Sequence, residues 1–270
     1  MAGELGTIDR LWRYPVKSML GEELEESPVG ERGLLGDRSY ALYDPASNRI
    51  GSAKQPRVWG RLFGLQASLA DAGPPPRVSV RFPDGTSAES GDDGLEARLS
   101  AELGFEVRLV AAPPEGATYM SVPVSGDESE AAVSPVRNGL FDLGVVHLLA
   151  TGTLEHLSLL YPDGRFEAQR FRPNLLVRTP PGERAQTGAR TGGFLENGWV
   201  GKTLALGDEV RLRVFTVTPR CVMTTLPQGS LPNDPGILRA AAANNQSNVG
   251  VYAIVERGGV VRRGDGVAVC

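Results

Sequence analysis

The stretch EVRLRVFTVTPRC occupies residues 209–221. Its first part, residues 209–217, predicts a β-strand that Pro219 breaks just before an adjacent arginine and cysteine. Two more strands are predicted downstream, at residues 249–255 and 260–269, the second interrupted by a Gly-Asp-Gly sequence. The C-terminal part of the chain is therefore expected to be rich in β-structure, with a cysteine placed just beyond one of its strands.

The N-terminal part is also predicted to consist mainly of strands. These strands are expected at residues 5–17, 38–43, 62–69, 77–82 and 105–110, with a hairpin turn at 83–86. Three leucines spaced four residues apart predict a helix over residues 93–103. Asp92 or Asp93 is expected to cap the start of this helix, and Gly104 stands where a helix commonly ends.

The middle of the chain contains two segments that predict loops. Residues 111–133 are rich in proline, glycine and acidic residues, and we interpret them as a boundary or an active-site loop. Residues 179–193 carry many proline, glycine, threonine and arginine residues, which are typical of a mobile surface loop. Around them, strands are predicted at 145–149 and 175–177 and helices at 154–160 and 237–243.

Composition limits the classes of partner and compartment. The 270 residues are 41% hydrophobic and 22% charged, as in an ordinary globular protein, and the net charge is −4. Without a basic tract, nucleic acid and an anionic membrane are not expected partners. Two cysteines do not make a disulfide framework, and neither a secretory signal nor an apolar run of membrane-spanning length is present, so a cytoplasmic location is expected.

The scarcity of histidine excludes the common zinc-binding patterns, whereas a Ser-His-Asp site stays open without any local signal for it. The chain has only His147 and His156, so an HExxH motif or a site of three histidines cannot form. His147 lies in an apolar strand, and we interpret it as a core histidine with satisfied hydrogen bonds. Cys221 directly follows Arg220, and a neighbouring guanidinium favours the thiolate that attacks substrates or binds soft metals. Cys221 could equally be a small buried hydrophobic residue.

Other local signals also leave two interpretations open. Lys17 and Ser18 follow a proline, and they could bind an anion or simply form a solvated turn. Arg38 could bind an anion or take part in a surface ion pair. Arg172 and Asn174 flank a proline, which could make a rigid clamp for a phosphate or a pterin, or only lead into a strand.

The order and joint occurrence of these motifs resemble the MOSC family, named for the C-terminal domain of molybdenum cofactor sulfurase. The motifs are Trp12-Arg13-Tyr14-Pro15-Val16-Lys17-Ser18, Gly36-Asp37-Arg38, Ser52-Ala53-Lys54-Gln55-Pro56-Arg57, Phe171-Arg172-Pro173-Asn174, Gly201-Lys202-Thr203-Leu204, Pro219-Arg220-Cys221, Val249-Gly250-Val251-Tyr252 and Gly264-Asp265. The first part of the chain resembles the β-barrel domain that precedes the MOSC domain in many members. The subgroup that it resembles is the amidoxime-reducing component proteins.

The resemblance implies a molybdenum cofactor and assigns roles to eight residues. It implies that Cys221 is the protein ligand to molybdenum, with further sulfur ligands from the dithiolene of molybdopterin. It also implies a set of cofactor-binding residues. These are Lys17, Ser18, Arg38, Arg172, Asn174, Arg220 and Tyr252. A polyanionic cofactor needs cations and hydrogen-bond donors from several strands, and a soft metal needs a thiolate, so the chemistry of these residues agrees.

The implied activity is reduction of small N-hydroxylated compounds by oxygen-atom transfer. The chain lacks the cysteines of an iron–sulfur domain, so a separate electron-transfer protein is expected to be a partner. One alternative is a sulfur carrier with a persulfide on Cys221, which a pyridoxal phosphate-dependent partner would load. Another is a non-catalytic protein that binds or delivers the cofactor. Residues 178–200 depart most from the family pattern and leave the substrate class open.

The expected fold is α+β and mostly β, with two β-barrel-like modules and a few short helices. Residues 1–110 are expected to form an N-terminal MOSC-type β-barrel, residues 111–133 a linker, and residues 134–270 the MOSC domain. The proposed ligands come from both modules, so the cofactor is expected to lie between them.

Overall fold

A computed structural model of the chain describes residues 3–121, 132–136, 140, 143–180 and 193–270. Within these residues the protein consists mostly of strands. Strands β1–β10 are Glu4–Arg13, Glu22–Leu24, Glu26–Gly30, Gly33–Leu34, Ala41–Asp44, Arg49–Ile50, Gln66–Asp71, Arg77–Arg81, Ser87–Glu89 and Arg108–Val110. Strands β11–β19 are Thr118–Ser121, Ala132–Pro135, Val146–Ala150, Leu175–Arg178, Thr203–Leu206, Val210–Pro219, Asn248–Arg257, Gly259–Arg262 and Gly266–Val269. Helices α1–α4 are Pro56–Trp59, Leu95–Leu103, Thr151–Leu160 and Pro235–Asn245.

Seven strands close into a barrel in the order β14-β13-β17-β16-β15-β19-β1, and β1 pairs back onto β14. Alternate side chains of these strands fill the barrel with aliphatic residues, as in other small closed barrels. Among the interior residues, Val210, Leu212 and Val214 come from β16, the strand predicted from the stretch 209–217. The expected α+β, mostly β fold with β-barrel-like modules and a few short helices is therefore confirmed.

The rest of the N-terminal part packs around a second core. A five-stranded sheet, ordered β10-β5-β6-β11-β12, and a three-stranded meander, β7-β8-β9, surround this core together with α2. The three leucines of α2 at positions 95, 99 and 103 are buried there, which confirms the predicted helix. Gly104 ends the helix with a left-handed φ of 86°, as expected.

Several boundaries differ from those predicted. The start of α2 is occupied by Gly94, and the carboxylate of Asp92 instead accepts the Glu89 N–H. The predicted strand at 62–69 begins as a 3₁₀ helix, Gly60–Gly64, because the chain turns there to bury Leu62 and Phe63. The predicted strand at 38–43 begins only at Ala41, because the backbone of Arg38 is left-handed.

The two modules are more entwined than the predicted boundaries at 110 and 134 imply. Strand β1 lies in the C-terminal barrel, between β14 and β19, and β18 pairs with β3 from the N-terminal part. The predicted linker 111–133 contains β11, which pairs with β6 and β12 in the five-stranded sheet. Most of the predicted loop 179–193 lies outside the described residues. None of the described helices is long and apolar enough to cross a membrane.

Gly6 is required where β1 closes the barrel. Its φ is +140°, and a Cβ built there would lie 1.9 Å from the Arg178 carbonyl oxygen of β14. A Cβ added to Gly3, three residues earlier, would have no atom within 4 Å, so this glycine serves as a matched control. Gly6→Ala is expected to lower the free energy of unfolding by about 2–3 kcal/mol, because the clash and the backbone strain oppose closure.

Urea unfolding of both variants tests this expectation. Gly3→Ala is expected to stay within about 0.5 kcal/mol of the original protein. Equal stabilities of the two variants would contradict the role assigned to the close approach of β1 and β14.

Candidate functional site

Two adjoining cavities lie between the barrel and the N-terminal module. The Lys17 cavity, of about 50 Å³, is lined by Lys17, Ser18, Arg38, Leu140, Gly144, His147, Arg172, Asn174, Met223 and Tyr252. The Cys221 cavity, of about 250 Å³, is lined by Arg38, Lys54, Leu143, His147, Phe171, Arg172, Pro219, Arg220, Cys221, Met223 and Tyr252. All eight residues singled out from the sequence line one or both cavities, so the structure brings them together. Their roles as ligands remain a prediction.

The lining of the two cavities is strongly cationic although the whole chain carries a net charge of −4. Five basic side chains, from positions 17, 38, 54, 172 and 220, line the cavities. Among the described residues that line them, none is Asp or Glu. Such a concentration of one charge favours a polyanionic ligand.

The Tyr14 ring packs against the guanidinium groups of two of these arginines. The guanidinium carbon of Arg38 lies 4.8 Å from the centre of the Tyr14 ring, and that of Arg172 lies 4.2 Å from it. Burial raises the pKa of Tyr14 to about 12, so the phenol stays neutral and its ring faces the cations. The backbone N–H of Tyr14 donates to Asp37 at 2.7 Å, and the other Asp37 oxygen pairs with Arg38.

Three site residues hold a backbone conformation that residues other than glycine rarely adopt. The φ angles of Ser18, Arg38 and Arg172 are 66°, 48° and 52°. The Ser18 hydroxyl accepts the Ala53 N–H at 3.1 Å, and the Arg172 guanidinium donates to the Met19 carbonyl at 2.5 Å. Strained residues persist where surrounding contacts fix them, and they are concentrated at functional sites.

The Asn174 side chain is largely engaged by the backbone. Its Oδ1 accepts the His147 N–H at 3.0 Å and lies 3.4 Å from a nitrogen of Arg38, and its Nδ2 donates to the Trp12 carbonyl at 3.3 Å. Asn174 thereby connects β1, β13 and the Arg38 turn. These contacts suit a residue that positions Arg38 better than one that presents its own amide to a ligand.

Cys221 lies at the point where β16 ends and a 3₁₀ helix, Val222–Thr225, begins. It is half-buried, and its carbonyl accepts hydrogen bonds from both the N–H and the hydroxyl of Thr224. The preceding Arg220 donates to the Phe171 carbonyl at 2.7 Å, and its buried Nε has no hydrogen-bond partner among the described residues. The segment therefore places the Cys221 thiol next in sequence to the fixed guanidinium of Arg220. One N–H donor of that guanidinium has no hydrogen-bond partner among the described residues.

His147 is a site residue that the sequence did not identify. The residue is buried, as expected, but it lines both cavities. Its Nε2 has no hydrogen-bond partner among the described residues. Burial, with the positive charges of Arg220 and Arg38, holds the pKa of His147 well below its usual range, so the imidazole is neutral. Lys54 and Met223 were also missed, although Lys54 lies within a motif of the family resemblance.

Gly250 leaves room for the His147 ring, and Glu196 fixes the backbone of Gly250 through a hydrogen bond. A Cβ on Gly250 would lie 2.1 Å from His147 Nε2, so only glycine fits beneath the ring. The Gly250 N–H donates to Glu196 at 2.9 Å, and the second carboxyl oxygen of Glu196 accepts from the Thr153 hydroxyl. Glu196 is fully buried, and burial raises its pKa to about 7 despite these hydrogen bonds.

The residues present fit a molybdenum–pterin cofactor. Five cations suit the phosphate and pterin oxygens, and the buried Nε of Arg220 offers an unused donor. Cys221 offers a soft ligand for the metal. The described residues contain no cluster of three or more histidine, cysteine or acidic side chains that could hold a metal ion.

Comparisons with known proteins identify two family domains in the chain. The MOSC domain matches residues 142–268, and the MOSC N-terminal beta barrel domain matches residues 5–85. No curated protein matches. Both domains meet at the two cavities described above.

Solved structures also resemble the chain, at low sequence identity. The YUAD protein from Bacillus subtilis is 13% identical, with a TM-score of 0.49 over 100% of this chain and 96% of that one. A hypothetical protein of 13% identity has a TM-score of 0.33 over 47% and 51% of the two chains. YiiM from Geobacillus stearothermophilus is 15% identical, with a TM-score of 0.34 over 56% and 72%.

Substitution of Gly250 tests how His147 is held. Gly250 and Gly264 have φ angles of +88° and +89°, but a Cβ on Gly264 would have no atom within 4 Å. Both alanine variants are expected to lose about 1–2 kcal/mol through backbone strain, and only Gly250→Ala also displaces the imidazole. Its loss of stability is therefore expected to be larger. The His147 imidazole resonances in an NMR spectrum should shift in Gly250→Ala alone, and similar shifts in both variants would contradict this assignment.

The raised pKa of Glu196 predicts how stability depends on pH. A raised pKa means that the folded state binds the proton more tightly, so this contribution is complete below pH 4.5 and is lost as pH rises through about 7. The loss amounts to about 3 kcal/mol. Glu196→Gln should remove it, so that the stability difference between variant and original protein grows in the variant's favour from pH 5 to pH 8. Urea unfolding at both pH values measures this, and a difference independent of pH would refute it.

Proposed function

The chain belongs to the MOSC family, whose domains are associated with the molybdenum cofactor, and we propose that it is a molybdenum-dependent reductase of small N-hydroxylated compounds. The net reaction takes two electrons and two protons, breaks the N–O bond, forms an N–H bond and releases water. We further propose that a separate electron-transfer protein of the cytoplasm supplies the electrons.

The observation that carries this proposal is the combination of one thiol and five cations around two adjoining cavities without a lining carboxylate among the described residues. Burial and the neighbouring arginines hold the pKa of His147 well below its usual range, so the one histidine of the described cavity lining is a weak general base. A thiolate beside cations instead suits a soft metal with a polyanionic organic ligand.

The position of each residue supports the role that we propose for it. Lys17, Arg38 and Arg172 would hold the phosphate and the pterin, because all three line the smaller cavity. Cys221 would bind the metal as its soft ligand, and Arg220 lines the same cavity. When bound, the cofactor supplies two-electron chemistry and oxygen-atom transfer, which the side chains alone do not provide.

Tyr14 orients two cations of the site, and His147 contributes a neutral ring. The Tyr14 ring fixes the directions of the two arginines that contact it, so they need not reorganise when an anion binds. His147 is neutral and packs against the Tyr252 ring, with 5.5 Å between ring centres. A neutral imidazole adds no repulsion between the cations, and it offers one ring nitrogen to a bound group.

Metal and pterin analysis of the full chain, expressed in a host that makes the cofactor, tests the proposal. We expect about one molybdenum and one pterin per chain, and reduction of benzamidoxime with an artificial electron donor. Cys221→Ala is expected to lose the metal and at least about a thousandfold in turnover, because the thiolate ligand is gone. Cys270→Ala is the matched control, since Cys270 is the other cysteine and is exposed.

Three results would contradict the proposal in different ways. Metal-free protein with an unaltered Cys221→Ala variant would exclude a molybdenum site. A mass increase of one sulfur on Cys221 without bound pterin would instead indicate a persulfide carrier. Bound pterin and metal without any turnover of N-hydroxylated compounds would indicate a protein that binds or delivers the cofactor.

A further inference from the structure

A third cavity, of about 410 Å³, lies on another side of the Tyr14–Arg172 pair, and we call it the Gln228 cavity. Its wall includes Leu20, Gly21 and Gln66 from the N-terminal module, and the loops around Arg165 and Gln228 from the barrel module. The other lining residues are Trp12, Tyr14, Glu23, Glu167, Gln169, Arg172, Gly229, Ser230 and Leu231. The cofactor fit and the proposed reaction do not use this cavity.

Three residues that line the Gln228 cavity each have a buried oxygen without a hydrogen-bond partner among the described residues. These atoms are Tyr14 Oη, Glu167 Oε2 and Gln228 Oε1. Tyr14 and Gln228 are each only 3% exposed. Buried polar atoms in folded proteins almost always have partners, and three exceptions around one cavity indicate a ligand that supplies them.

The chemistry of the three oxygens defines the ligand. A carboxylate oxygen and an amide oxygen can only accept hydrogen bonds, and a phenol can also accept one. The ligand must therefore present several donors. The Gln228 oxygen cannot exchange its place with the amide nitrogen without loss, because Nε2 donates to the Met223 carbonyl at 3.0 Å.

The cations that line this cavity are already engaged. Arg165 pairs with the other oxygen of Glu167 at 2.6 Å and donates to the Ser230 carbonyl at 3.1 Å. Arg172 donates to the Met19 carbonyl and rests on the Tyr14 ring. Glu167 and Glu23, the latter paired with Arg10 at 3.8 Å, add two carboxylates to the lining, so a neutral or singly positive ligand fits better than an anion.

The walls of the Gln228 cavity are rigid where its polar residues attach. Arg170 is fully buried and donates to four carbonyls, at Arg165, Thr224, Leu226 and Pro232, so it joins the two loops that face each other. The apolar side chains of Trp12, Leu20 and Leu231 line the same space. A site with fixed polar groups and an apolar wall is typical of small-molecule pockets.

We propose that the Gln228 cavity binds a small organic molecule that carries a planar group of N–H donors, an amidine foremost, against an apolar ring or chain. The amidine would donate to the oxygens of Glu167, Gln228 and Tyr14, and its apolar part would contact Trp12 and Leu231. This site is separate from the two cavities of the proposed reductase and does not depend on that reaction.

Calorimetry with three matched ligands tests this proposal on the full chain. Benzamidine has four N–H donors and one charge, benzamide has fewer donors and no charge, and benzoate has acceptors only. We expect benzamidine to bind, benzamide to bind more weakly, and benzoate to bind at least about tenfold more weakly than benzamidine, because its oxygens would face the protein's acceptors.

Two conservative variants identify the site. Tyr14→Phe removes only the hydroxyl and Glu167→Gln only the charge, and each should weaken benzamidine binding about five- to tenfold. Tyr14→Phe should not lower the stability of the free protein, since the hydroxyl has no partner to lose among the described residues. Glu106→Gln is the control, because Glu106 is an exposed carboxylate beside an arginine elsewhere, and it should leave the affinity unchanged.

Three outcomes would overturn the proposal. They are no binding of benzamidine, equal binding of benzoate, and unchanged affinity in both Tyr14→Phe and Glu167→Gln. Benzamidine is also the product of the reduction proposed above, and Glu167 lines the Gln228 cavity but not the Cys221 cavity. Binding that Cys221→Ala weakens and Glu167→Gln leaves unchanged would place the ligand in the Cys221 cavity and also overturn the proposal.

Discussion

Two arginines from opposite parts of the chain rest on one buried tyrosine ring, and the site depends on this arrangement. Arg38 comes from a turn of the N-terminal module, and Arg172 follows a 3₁₀ helix, Ala168–Phe171, of the barrel module. Like charges this close repel each other, and the buried carboxylate of Asp37 pairs with Arg38. The ring's negative face stabilises both, and their left-handed backbones are fixed by neighbouring contacts. The molecule thus holds an excess of positive charge in a fixed geometry before any anion arrives.

The elements that the sequence predicted well are those determined by local pattern. The strand at 209–217 and the helix over 93–103 bury regular apolar faces, and Gly104 ends the helix because a left-handed residue is needed there. Gly94 rather than Asp92 immediately precedes that helix, because the Asp92 carboxylate accepts the Glu89 N–H instead. Non-local pairing was not predictable in this way. The position of β1 between β14 and β19 depends on partners more than 160 residues away, and no local period encodes it.

For the site, ordered motifs were informative and single residues were not. Lys17, Arg38 and Cys221 each had a plausible alternative when considered alone, and their place in a family pattern predicted that they would meet. The structure brings them together. The sequence analysis interpreted His147 only as a core residue, because an apolar strand gives no sign that its ring borders a cavity. Asn174 stays a predicted cofactor-binding residue, and its amide contacts two backbone groups and the Arg38 side chain, which are visible only in the folded chain.

Strand β1 is the first described strand and β19 the last, and they are neighbours in the barrel. The ribosome synthesises β1 long before β19. Strand β1 therefore lacks its pairing partner β19 while the rest of the chain emerges. The barrel can close only after β19 has left the exit tunnel. Both cavities form against that barrel, so any cofactor must be inserted after β19 has been made, and not into a shorter nascent chain. Until then the exposed edge of β1 is a place where a chaperone could act.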